Sequence, residues 1–149
     1  MLTFASSSAR VINSRRAIAE CFEILGDVPE ADPDLLMIHA SVGHNMRELV
    51  SEARRLAPNA RIVGFSCCGV IGRERVSESM RDVAIMAVKG PETATAHMDG
   101  VFGHNCFEKA RQLAEAILRQ LPGVNMVYFL ASGIDIANDL CIRAIEEVL

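Results

Sequence analysis

A chain of 149 residues that is 50% hydrophobic and 23% charged, with a net charge of −4 and a pI of about 5.5, carries enough apolar matter to bury a core. That balance excludes an intrinsically disordered chain, and it argues against a nucleic-acid partner, which demands clustered Lys and Arg. Five cysteines, Cys21, Cys67, Cys68, Cys106 and Cys141, form an odd set without C-x-x-C spacing; no signal peptide opens the chain and no apolar run approaches the ~20 residues that cross a bilayer, so a reducing, cytoplasmic location without a membrane span is expected.

Leu2 to Ala5 reads as a strand leading into Ser6-Ser7-Ser8, after which Asn13 or Ser14 caps a helix with Ala17, Ile18, Cys21, Phe22 and Leu25 at helical spacing. Gly26 stops it. Asp34 to Ala40 has the pattern of a buried strand, and beyond the loop Ser41-Val42-Gly43-His44 the pair Asn45 and Glu48 has the spacing of a capping box for a helix closed by Pro58. A third strand is expected over Arg61 to Ser66. It runs into the unusual stretch Cys67-Cys68-Gly69-Val70-Ile71-Gly72.

Val83 to Val88 and Thr93 to Met98 flank the turn Lys89-Gly90-Pro91-Glu92 and read as an antiparallel hairpin. Asn105 and Glu108 repeat the capping-box spacing ahead of a helix through Ala110, Leu113, Ala114, Ile117 and Leu121, ended by Pro122-Gly123. Met126 to Leu130 has the pattern of another strand. After Ala131-Ser132-Gly133-Ile134-Asp135, in which Asp135 reads as a cap, a last helix carries Ile136, Ala137, Leu140, Cys141, Ala144, Ile145, Val148 and Leu149. Its apolar surface extends to the final residue, so the expectation is a domain spanning 1–149 that is cut short at its C-terminal end or that leans on a partner surface.

The fold class that follows is α/β: a mixed sheet of βα units with an antiparallel hairpin, and helices packed on it. If the strands preceding helices run parallel, Ser6, Ser41, Ser66 and Ser132 at their carboxyl ends share the edge where open α/β sheets bind ligands. The adjacent helix N-termini favour an anionic group such as a carboxylate. Arg15-Arg16 and Arg54-Arg55 stand beside acids and read as solvated helix faces.

The loop after the third strand admits two readings. It is either a tight turn with packed thiols, since free Cys behaves as a small hydrophobe, or a ligand lining in which Ser66 and a thiol are polar handles and Gly69 permits close approach. Catalysis by Cys67 or Cys68 requires a cationic neighbour that the sequence does not place, although His39, His44, His97 and His104 are available. Zinc is not expected, because the thiols and histidines lack the usual ligand spacing. No phosphate-cradling glycine motif and no nucleophile elbow is present.

Gly64-Phe65-Ser66-Cys67-Cys68-Gly69-Val70-Ile71 resembles the GCSTAGEI-like loop of FIST N-terminal domains, and the order of elements around it is similar over nearly the whole chain. Gly64, Ser66, Gly69 and Ile71 match that loop, Cys67 and Cys68 stand at its Thr-Ala positions, and Val70 replaces its Glu. Ala131 to Asp135 resembles a later Asp-Gly-rich loop, with Ser132 where Asp is usual. The resemblance implies a sensory module without catalysis, found beside signal-transduction domains and binding small ligands such as amino acids or their relatives. It also implies a longer domain with a C-terminal partner region. The expected ligand-binding residues are Ser41, Gly64, Ser66, Cys67, Cys68, Gly69 and Ser132, with no cofactor, no metal and no catalytic residue. Two rivals remain open: a cysteine-dependent enzyme or redox switch at Cys67 and Cys68, and a protein-interaction scaffold using the last helix.

Overall fold

The structure, a computed structural model, describes residues 1–71, 76–130 and 137–149. It divides into two compact units, Met1–Thr93 and Ala94–Leu149. The first holds β1 (Thr3–Arg10), α1 (Ser14–Leu25), a 3₁₀ turn (Pro29–Ala31), β2 (Leu35–Ser41), α2 (Met46–Leu56), β3 (Arg61–Cys67), β4 (Val70–Ile71), β5 (Val76–Ser77) and β6 (Asp82–Lys89). The second holds α3 (Cys106–Gln120) and α4 (Asn138–Glu146).

Four strands form a mixed sheet in the order β1, β6, β2, β3. β6 is antiparallel to both β1 and β2, and β2 is parallel to β3, so β1, β2 and β3 all point the same way. Their carboxyl ends share one edge, as the sequence led one to expect. The antiparallel hairpin, however, is β4 with β5. Val83 to Val88 does not pair with Thr93 to Met98, which is not a strand; it forms the inner strand β6, between β1 and β2. Its neighbours, β1 and β2, lie far away in sequence.

Both helices of the first unit cover the same face of the sheet. Ala17, Ile18, Cys21 and Leu25 of α1, with Leu49 and Ala53 of α2, close on Ala9, Leu36, Ile38, Ala40, Val83, Ile85 and Ala87. Fully burying Ile18, Leu36 and Leu49 contributes on the order of 1.5–3 kcal/mol each. The helices begin where expected. Asn13 Oδ1 accepts from the Arg16 amide at 2.9 Å, and Asn45 Oδ1 accepts from the Arg47 and Glu48 amides at 3.1 and 3.3 Å. Arg16 is held by Glu23 and Arg55 by Glu52, which leaves these arginines paired along their own helices.

In the second unit α3 and α4 meet through small side chains, Cys106 and Ala110 against Cys141 and Ala144, which let the helices approach closely. Asn105 does not cap α3 in the way Asn45 caps α2. Its Oδ1 accepts from the Phe102 amide at 2.8 Å and its Nδ2 donates to the Gly100 carbonyl at 3.1 Å, so it braces the preceding loop instead. Met126 to Leu130, expected as a strand, forms none. Phe129 packs on the α3 and α4 cluster, while Met126 is 72% exposed. The last helix buries Cys141 and Ala144 but leaves Ile142 exposed, and it ends at Glu146, short of the exposed Leu149.

Candidate functional site

Strand pairing and the alternation of side chains sort the carboxyl edge into two faces. Ser66 aligns with Ala40, and Ala40 with Val83, on the face that α1 and α2 cover. Cys67 aligns with Ser41 on the opposite face, where Asp82 starts β6 and Arg10, its partner in register, ends β1. A row of Arg10, Asp82, Ser41 and Cys67 therefore crosses the sheet at its carboxyl edge. The row beneath it is Ser8, Ala84, His39 and Phe65. Ser6 lies in the middle of β1, opposite Met86, because that strand extends to Arg10.

Ser41 is 1% exposed, and its hydroxyl is committed to the main chain. It lies 2.7 Å from the Ser79 carbonyl and 2.9 Å from that of Asp82, either of which can accept its proton, and it accepts from the Asp82 amide at 3.2 Å. Asp82 Oδ2 in turn accepts from the Ser79 amide at 3.1 Å. These bonds tie the turn before β6 to the end of β2. A side chain at Gly43 would collide with the Met80 carbonyl, which shows how closely the loop after β2 lies against that turn.

Gly64 sits opposite Ile38, and a Cβ there would run into the Ile38 carbonyl, so close pairing of β2 with β3 requires glycine. Gly69 faces β5, where an added Cβ would fall 2.7 Å from the Ser77 carbonyl. Ser66 and Cys68 are exposed, and Cys67 and Gly69 are half-buried. Ser132, together with Asp135, lies outside the described residues.

Burial is the main reason that the Cys67 thiol is pushed up from its ordinary pKa; the backbone at Gly69 opposes it in part, and the neighbouring Cys68 and Asp82 add smaller effects in the raising direction. Cys67 is thus kept protonated rather than poised as a thiolate. His39 packs against Phe65 with ring centres 4.5 Å apart and ring planes tilted by 45°, and burial lowers its pKa, which makes it a poor source of positive charge for a neighbouring thiol. His44 is 7% exposed and places Nδ1 3.2 Å from Ser14 Oγ, where α1 begins. Among the described residues no group of three or more His, Cys, Asp or Glu converges to hold a metal ion.

Sequence reasoning did not single out Asp82 or Ser79. An acid opening an apolar strand was the available signal, but its meaning depends on β6 being an inner strand whose first residue reaches the edge of the site. Two surface depressions lie elsewhere, one along α2 between Met46, Arg47, Val50, Ser51 and Arg54, the other in the second unit between Val124, Met126, Ile145 and Leu149. No described helix is long and apolar enough to cross a membrane.

The family model of the FIST N domain matches residues 34–149. The match begins just before β2, so β1 and α1 precede it although β1 is part of the same sheet. A comparison with curated proteins finds no match.

Proposed function

Because the chain belongs to the FIST N domain family, whose members are sensory domains of signal transduction, we propose that it binds a small metabolite at the carboxyl edge of β2 and β3. The observation that carries this reading is the shared direction of β1, β2 and β3, which brings the α1 and α2 starts and the loop after β3 to one edge. Ser66, Cys67, Cys68 and Gly69 are the accessible lining there, with Ser41 holding the edge in shape. An amino acid or a related metabolite is the proposed ligand class.

On this reading the protein is not an enzyme. Burial of Cys67 favours the neutral thiol, which suits a polarisable wall better than a nucleophile. It acts in the cytoplasm, and the output passes to a C-terminal FIST region or an attached signalling domain. Thermal denaturation of the full-length protein against a metabolite panel tests the proposal. A ligand present at about 100 times its Kd adds about 2.7 kcal/mol to the stability of the folded state, and Ser66→Ala together with Cys68→Ala is expected to reduce that gain. A comprehensive panel without any stabilising compound overturns it.

A further inference from the structure

β3 ends the sheet: β2 lies on one side of it, and no described strand pairs with the other. The Arg61 amide donates to the Asp34 carbonyl at 3.0 Å, so Arg61 turns its N–H and C=O toward β2. Because these groups alternate along a parallel ladder, Val63, Phe65 and Cys67 do the same, whereas Ile62, Gly64 and Ser66 turn theirs to the free side. Among the described residues no backbone hydrogen bond outside the sheet ladders reaches those three. Such an edge is ordinarily blunted by Pro, Lys, a bulge or a covering element. β3 has no Pro and no Lys, its one charge is Arg61 at the first position, and it pairs with β2 residue for residue without a bulge. The strands that follow, β4 and β5, form a sheet of their own. The opposite edge of the main sheet differs, since the 3₁₀ turn packs against β1, and the middle of β1 is Ser6-Ser7-Ser8.

We propose that the free edge of β3 pairs antiparallel with β3 of a second copy of this chain, about a two-fold axis at Gly64, and so joins two four-stranded sheets into one. The outward-facing residues are placed symmetrically about Gly64. Ile62 stands opposite Ser66 of the partner subunit, and Gly64 opposite Gly64 of the partner subunit, so each pair can exchange both of its backbone hydrogen bonds. The same register sets Val63 against the partner's Phe65 at the closer, non-hydrogen-bonded spacing, an aromatic and β-branched pair that the symmetry makes twice. Phe65 is 39% exposed and has surface left to bury. Arg61 falls opposite the partner's Cys67, so no like charges oppose one another. A two-fold contact uses the same edge on both copies, and the assembly closes as a dimer. The dimer does not depend on a ligand, and its failure would leave the sensory reading untouched.

Sedimentation of the full chain across a concentration series is expected to show monomer passing into dimer. Hydrogen exchange of the wild type, followed by amide NMR, reads the surface itself. The Ile62, Gly64 and Ser66 amides are expected to gain protection as the dimer forms, whereas those of Val63 and Phe65, turned toward β2, are protected at every concentration. Phe65→Lys is expected to weaken the dimer at least about tenfold, because the pair it breaks occurs twice. Ile24→Lys, at an exposed apolar residue of α1, is expected to leave the dimer unchanged. Should Phe65→Lys not fold, the wild-type exchange pattern still decides. A chain that stays monomeric overturns the proposal. So does a dimer in which the Ile62, Gly64 and Ser66 amides exchange freely, since it joins through another surface. Protection of those amides already in the monomer, or a Phe65→Lys dimer as tight as the wild type, overturns it as well.

Discussion

Replacing Ser41 with Ala removes one oxygen from a site that water does not reach, and it leaves the Ser79 carbonyl and the Asp82 amide short of their partner. Each buried polar group left unpaired costs about 1–3 kcal/mol. The Asp82 amide keeps a long bond to the Ser79 carbonyl at 3.4 Å, so the two losses are not fully additive, and a total of about 2 kcal/mol is expected. For a chain of this size that corresponds to a fall of roughly 4–8 °C in melting temperature. Urea denaturation followed by circular dichroism measures the loss, and hydrogen exchange localises it, because the Asp82 amide should lose protection while amides in the middle of α1 keep theirs. A loss below about 0.5 kcal/mol, the range of ordinary surface substitutions, would mean that Ser41 does not hold the turn before β6 and that the account of this edge is wrong.

Gly64→Ala places a methyl group against the Ile38 carbonyl and should cost at least about 2 kcal/mol, read from the urea midpoint; unchanged stability would show that β2 and β3 tolerate a wider spacing. Cys68, exposed on the loop, should be alkylated by iodoacetamide before Cys67, and the rate at Cys67 should continue to rise with pH beyond the ordinary thiol value of about 8.5; faster modification of Cys67 at neutral pH would favour the enzymatic rival. Burial, with smaller contributions from Cys106 and Asp139, pushes the Cys141 thiol up to about 11. A raised thiol pKa in the folded state means that the stability it contributes is intact below the unfolded value near 8.5 and is lost as pH climbs toward about 11. Cys141→Ala should therefore flatten the decline in melting temperature across that alkaline window, and an unaltered slope would contradict the assignment.

Local chemistry was enough to locate most elements of the first unit. Asn13 and Asn45 each offer a short side-chain acceptor just before an amphipathic run, and both cap their helices. The βα order of β2 and β3, the glycine-bearing loop after β3 and the family it resembles were equally readable, because helix caps, apolar period and turn residues act within a few positions of one another. Asn105 shows where this stops, since the same spacing braces a loop when the Phe102 amide and the Gly100 carbonyl take up its side chain.

What the tertiary structure alone decided is which segments become neighbours. The run 83–88 was recognisable as a strand, but its partners, β1 and β2, lie many residues away, and no local feature distinguishes an inner strand from one arm of a hairpin. The same holds for the site. Ser66 and Cys67 were both expected at the strand end, yet the pleat turns them to opposite faces and joins Cys67 to Ser41, Asp82 and Arg10 through three strand pairings. Alternation along a strand is a property of the sequence, whereas register between strands follows from the packing of the whole sheet, and for that reason Asp82 acquired its meaning only in the folded chain.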